Sequence, residues 1–83
     1  MVLNRRSNID IIADIIRLGE ANKTKVMYQV NMSHGRLESY LRFLVDKDLL
    51  EVGRDHNRRV VYSPTPDGIA LLDHIEKVQE MIG

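Results

Sequence analysis

Apolar residues recur at helical spacing in four stretches of the chain. Between the third and fourth stretch the pattern shortens to two strand-like runs. In the first stretch Ile9, Ile12 and Ile16 lie three and four apart, a single stripe, with Ile11, Ala13, Ile15 and Leu18 beside it. Ser7 supplies an N-cap hydroxyl, Asp10 suits the positive end of the helix dipole, and Gly19 and Asn22 bracket the end. A second, short helix is expected over 25–30, capped by Thr24, with Val26, Met27 and Val30 inward. Asn31 takes the left-handed turn and Met32 anchors it. Ser33 caps the third helix, where Leu37, Tyr40, Leu41 and Leu44 repeat at i, i+3, i+4 and i+7. Its other face carries Gly35, Glu38, Ser39, Arg42 and Asp46, and Asp48 ends it at some cost in positive φ.

The runs 49–53 and 59–63 are rich in Leu, Val and Tyr and flank the polar segment 54–58, so they predict a hairpin. Thr65 and Pro66 then open a last helix as cap and first residue. Its residues Leu71, Ile75, Val78 and Ile82 step by four, three and four, an a/d-like seam of the kind that covers a partner helix. The predicted order is helix, helix, tight turn, helix, strand, turn, strand, helix. That is a mainly α winged helix-turn-helix with an added C-terminal helix: residues 1–64 form the winged part, and residues 65–83 a dimerisation helix of the same domain. A helix presented beside a basic two-stranded wing suits duplex DNA.

Composition narrows the reading. An 83-residue chain makes one domain with a small core, for which dimerisation is a common remedy. The absence of cysteine excludes disulfides and thiolate metal sites. No apolar run reaches the length of a membrane span, and residues 1–6 lack the apolar stretch of a signal peptide, so a cytoplasmic protein is expected. The formal net charge is zero, which taken alone favours an ordinary solvated surface. Its distribution is uneven. Residues 1–45 carry seven Lys/Arg against four Asp/Glu, and residues 53–63 carry Arg54, Arg58 and Arg59 against Asp55. Residues 64–83 set Lys77 against Asp67, Asp73, Glu76 and Glu80. Such a molecule offers phosphate a basic face and turns an acidic end away.

Several short patterns together resemble a known family. They are Ile11-Ile12-Ala13-Asp14-Ile15, the run 23–28 (Lys-Thr-Lys-Val-Met-Tyr), and Asn31-Met32-Ser33 followed by Leu37, Tyr40-Leu41, Phe43-Leu44, Lys47 and Leu49-Leu50. Tyr62, Thr65 and Gly68 then fit a Tyr-x-x-Thr-x-x-Gly element after the wing. The ordered set resembles the small archaeal winged-helix DNA-binding proteins, predicted transcriptional regulators that include coiled-coil-dimer chromatin proteins. The resemblance implies a double-stranded DNA partner and a homodimer built on helices four and one. The chain departs from that pattern at Asp48, where glycine is usual, and at Pro64, which predicts an early stop to the second wing strand. The last helix, about 18 residues and roughly 27 Å long, is also short for a long coiled coil.

In this reading the N-terminal half of helix three enters the major groove with Ser33, His34, Gly35, Arg36 and Ser39, and Arg42 follows. Arg36 suits a guanine edge, Ser39 a base or phosphate, and Gly35 leaves room for close approach. Alternatively Arg36 and Arg42 pair with Glu38 or Asp46 at helical spacing. Arg54, Arg58 and Arg59, with His56 and Asn57, form a wing tip suited to phosphate or a narrow minor groove. Arg5, Arg6, Lys23 and Lys25 add backbone contacts. Phe43 is expected at the edge of the core or at a dimer interface. Tyr28, Tyr40 and Tyr62 are expected as core residues with a polar tip. His34, His56 and His74 lie on three elements without metal-ligand spacing, and no glycine-rich phosphate loop occurs, so neither catalysis nor a cofactor is expected. The competing class is a protein-interaction module on the same fold without DNA, and an RNA-binding winged helix is the third.

Overall fold

The computed structural model describes residues 7–82. The elements follow in the order α1 (Asn8–Arg17), α2 (Lys23–Val30), α3 (His34–Asp46), β1 (Leu50–Arg54), β2 (Val60–Pro64) and α4 (Pro66–Ile82). The fold is a winged helix-turn-helix: four helices and one antiparallel hairpin.

Helix α1 begins in a complete capping box. Ser7 Oγ accepts from Asp10 N at 3.1 Å, and Asp10 Oδ2 accepts from Ser7 N at 3.3 Å. Its core stripe differs from the one the spacing suggested. Ile11, Ala13, Ile15 and Ile16 are buried, Ile12 is half-buried, and Ile9 is 51% exposed. Apolar residues occupy so much of this helix that several stripes satisfy the same period.

Helix α2 starts earlier than expected. Asn22, not Thr24, is the N-cap, with its side-chain oxygen accepting from Lys25 N at 2.9 Å. Ala21 settles this by pairing with Tyr62 in both directions, at 2.9 and 2.8 Å, which holds the chain extended up to Asn22. Asn31 turns the chain at φ 52°, and Met32 packs against the core as its anchoring role requires. Ser33 caps α3, accepting from Arg36 N at 3.3 Å.

The core joins Ile11 and Ile15 of α1, Val26 and Val30 of α2, Leu37, Leu41 and Leu44 of α3, Ala21 and Leu50. Tyr40 and Tyr62 pack against it, whereas Tyr28 is 83% exposed and belongs to the surface. The hairpin register runs from Leu50↔Pro64 to Arg54↔Val60. Pro64 therefore does not cut the strand short. It sits opposite Leu50, and the chain then clips back through Thr65 N to Leu49 O at 3.1 Å.

Thr65 is buried and links two elements. Its Oγ1 accepts from Gly68 N at 3.0 Å, capping α4, and donates to Asp48 O at 2.6 Å. The start of α4 presses on the α3–β1 turn so closely that a Cβ on Gly68 would lie 2.1 Å from Leu49 O. Helix α4 packs along α1. There Arg17 bonds Glu76 at 3.1 Å and Asp14 at 2.8 Å, and Gln79 Nε2 donates to Asp10 Oδ1 at 2.9 Å.

Candidate nucleic-acid interface

Because Leu37, Leu41 and Leu44 turn inward, α3 turns Gly35, Ser39, Arg42 and Asp46 outward at i, i+4, i+7 and i+11, with Arg36 beside them. All five are exposed, as are Ser33 and His34 at the start of the helix. Nothing lies within 4 Å of where a Cβ on Gly35 would sit, so the protein's own packing does not ask for glycine there. Helical spacing offers Arg42 both Glu38 and Asp46 and Arg36 no carboxylate, and within the described residues neither arginine has a carboxylate at salt-bridge distance. Glu38 is engaged elsewhere. Lys23 Nζ, from α2, donates to Glu38 Oε1. That bond holds the Glu38 carboxyl below the usual carboxylate range and raises the Lys23 ammonium above its ordinary value. Lys23 is thus occupied inside the protein, while Lys25 stays exposed without an ion pair among the described residues.

The wing tip is organised by one carboxylate. Asp55 Oδ1 accepts from Asn57 N at 2.8 Å and from Arg59 N at 2.9 Å. The Arg59 N–H foremost, then that of Asn57, holds the Asp55 carboxyl below its ordinary value. Asp55 N donates to Arg59 O at 3.0 Å, and Arg58 N closes the turn to Asp55 O at 2.9 Å. Arg58 consequently stands at φ 63°, a backbone position that ordinarily favours glycine. Arg54 spends part of its guanidinium on Arg58 O at 2.9 Å. Arg58 and Arg59 project from this locked turn, exposed and outside any ion pair among the described residues.

The structure therefore brings Arg54, Arg58 and Arg59 together at the wing and aligns Gly35, Arg36, Ser39 and Arg42 on one helix face. Asp55 was missed as the organiser of the tip, although an Asp two residues before an Asn in a polar turn is a legible Asx-turn signal. Phe43, 46% exposed, lies at the core's edge with Asn8, Ile12 and Tyr40, and Lys47 Nζ stands 6.0 Å above its ring. Ile9, Ile75, Val78 and Ile82 line one groove between α1 and α4. Ile75 is buried, Leu71 half-buried, and Val78 and Ile82 are 54% and 82% exposed. Arg5 and Arg6 lie outside the described residues. Among the described residues no cluster of His, Asp and Glu is arranged to hold a metal ion, and no helix is long and apolar enough to cross a membrane.

A recognition-type helix, its turn and a two-stranded wing in this order define a winged helix-turn-helix. The sequence model of the winged helix-turn-helix family matches residues 5–83, and the chain belongs to that family. An uncharacterized protein of the archaeon Methanocaldococcus jannaschii is 32% identical over 81 residues, which cover 94% of this chain and 36% of that protein. The chain thus spans about a third of this relative's length. Among solved structures it is similar to Sso10a-2, a DNA-binding protein from Sulfolobus solfataricus, with a TM-score of 0.80 and 27% identity over 92% of this chain and 81% of that one. BpsR of Bordetella bronchiseptica, whose DNA binding is regulated by 6-hydroxynicotinic acid, gives a TM-score of 0.78 at 20% identity over 95% of this chain and 59% of that one. At that identity the likeness is one of fold.

Proposed function

We propose that this protein binds double-stranded DNA as a homodimer and acts as a transcriptional regulator or an architectural chromatin protein. The observation that carries the reading is the set of exposed arginines on α3 and the wing, Arg36, Arg42, Arg58 and Arg59, whose guanidinium groups are in no ion pair with a carboxylate among the described residues. The similarity to Sso10a-2, a DNA-binding protein, supports it. Helix α3 occupies the major groove with Ser33, His34, Gly35, Arg36 and Ser39, and Arg42 reaches the groove's edge. Arg54, Arg58 and Arg59 grip flanking phosphate from the wing, and Lys25 adds a backbone contact. The apolar groove of Ile9, Ile75, Val78 and Ile82, with Leu71 on the same helical seam of the sequence, is covered by the same face of a second copy. A dimer presents two α3 helices to half-sites about 34 Å apart. The cytoplasm, on the nucleoid, is the corresponding location.

The test compares two sets of variants on a panel of duplexes. Arg36→Ala is expected to flatten the preference among sequences. Arg58→Ala with Arg59→Ala is expected to weaken all duplexes alike. Binding unchanged by both sets overturns the assignment of this face. A second reading, a protein-interaction module without DNA, is favoured by the exposed Val78, Met81 and Ile82 and the acidic last helix. Wild-type protein that ignores duplex DNA yet forms a stable complex through α4 establishes that reading instead.

A further inference from the structure

The Lys23–Glu38 pair crosses from the first residue of α2 to the middle of α3, on the flank of the face that carries Arg42. Glu38 and Arg42 are one turn apart on the same helix, the spacing at which a carboxylate and a guanidinium normally find each other. Here they do not: Glu38 is bonded to Lys23, and Arg42 stands exposed with no carboxylate at salt-bridge distance among the described residues. The field of Arg42 nevertheless acts on Glu38, which places the two within electrostatic reach. We propose that Lys23 is a positioning residue rather than a phosphate contact: by holding the Glu38 carboxylate it keeps Arg42 open to DNA phosphate. The inference rests on the DNA-binding reading above and deepens it.

Two other roles for Lys23 make different demands. If Lys23 itself neutralises a phosphate, nothing done to Glu38 restores what its loss removes. If the pair merely staples α2 to α3, breaking it from either side does the same damage. Sequestration is asymmetric. Loss of Lys23 frees Glu38 to capture Arg42, whereas loss of the Glu38 charge leaves Arg42 as open as before.

The experiment measures binding of the full chain to a labelled random duplex at several salt concentrations, with thermal unfolding recorded for each variant. Lys23→Met is expected to weaken binding about three- to fivefold, the range in which a partly exposed charge pair acts. It should also reduce the log–log salt slope by about 0.9, one phosphate contact. Glu38→Gln alone is expected to leave affinity and slope at or above the wild-type level. In the Lys23→Met background with Glu38 intact, Arg42→Ala should cost nothing more, whereas adding Glu38→Gln to Lys23→Met should restore the slope. The proposal is overturned if Glu38→Gln weakens binding as Lys23→Met does, if it fails to restore the slope, or if Lys23→Met and Arg42→Ala add. A wild-type chain that does not bind duplex at all overturns the DNA-binding reading itself, a result read before any variant is compared.

Discussion

Arg58 is a large charged side chain placed where the backbone would rather have glycine, at φ 63°. A non-glycine residue held there costs about 1–2 kcal/mol. Arg58→Gly is therefore expected to leave the unfolding midpoint unchanged or raise it, while binding to every duplex weakens and the salt slope falls by about 0.9. A variant that loses stability together with binding contradicts this. Two glycines make an opposed pair. Gly68→Ala forces a methyl against Leu49 O, which only a backbone shift can relieve, and is expected to cost at least about 2 kcal/mol. Gly35→Ala meets open space on an exposed helix and is expected to gain about 0.5–1 kcal/mol by denaturant unfolding. At this scale the sequence is legible where side-chain chemistry and backbone agree. Asn31 is a residue that tolerates the left-handed region, and it adopts φ 52°. Arg58 carries no such signal, because its torsion is imposed by the turn that Asp55 closes around it.

The elements were readable wherever a single cap competes for the helix start. Ser7, Ser33 and Thr65 are caps in the structure as in the pattern. Helix α2 had two candidates two residues apart, and the choice between Asn22 and Thr24 was made by the bridge from Ala21 to Tyr62, a contact between positions far apart in sequence. Thr65 joins the α3–β1 turn to α4, so Thr65→Val, which keeps shape and loses both hydroxyl bonds, is expected to cost about 1–3 kcal/mol in denaturant unfolding. The wing has its own acid dependence. Asp55 titrates lower in the folded protein than in the unfolded chain, because the Arg59 and Asn57 N–H groups favour its charged form. Its contribution is thus fully present above the unfolded carboxylate range. It is lost only as pH falls through that range and the lowered folded value. The protection of the Asn57 and Arg59 amides relative to their intrinsic exchange rates should be constant near neutrality and fall in strong acid. In Asp55→Ala, which removes the acceptor, the tip should open at every pH, and an identical profile in both proteins would show that the carboxylate does not organise the wing.

The whole molecule has two faces of different character. One presents α3 and the wing with their arginines, and the other presents Ile9, Val78, Met81 and Ile82 to solvent. Of the stripe Ile9, Ile12 and Ile16, Ile16 is buried and Ile12 packs against the core, while Ile9 is exposed, because an isoleucine-rich helix carries more than one apolar stripe. Only packing decides which stripe is spent inside, and Ile9 is left on the α1–α4 groove. The a/d-like seam on α4 divides in the same way, with Ile75 buried against its own chain and Val78 and Ile82 turned outward. If a second copy covers that groove, Val78→Glu should convert a species of twice the chain mass into one of the chain mass in sedimentation equilibrium. It should do so with the helical circular dichroism signal retained. The zero net charge conceals this polarity, so the binding face is legible from segments of the sequence and not from its total. The most direct measurement is fluorescence anisotropy of a labelled random duplex titrated with the wild-type chain from low to high salt. Contact with about six phosphates predicts micromolar binding at low salt that falls with a log–log slope near −5. Failure to bind at low salt, or binding indifferent to salt, would contradict the account.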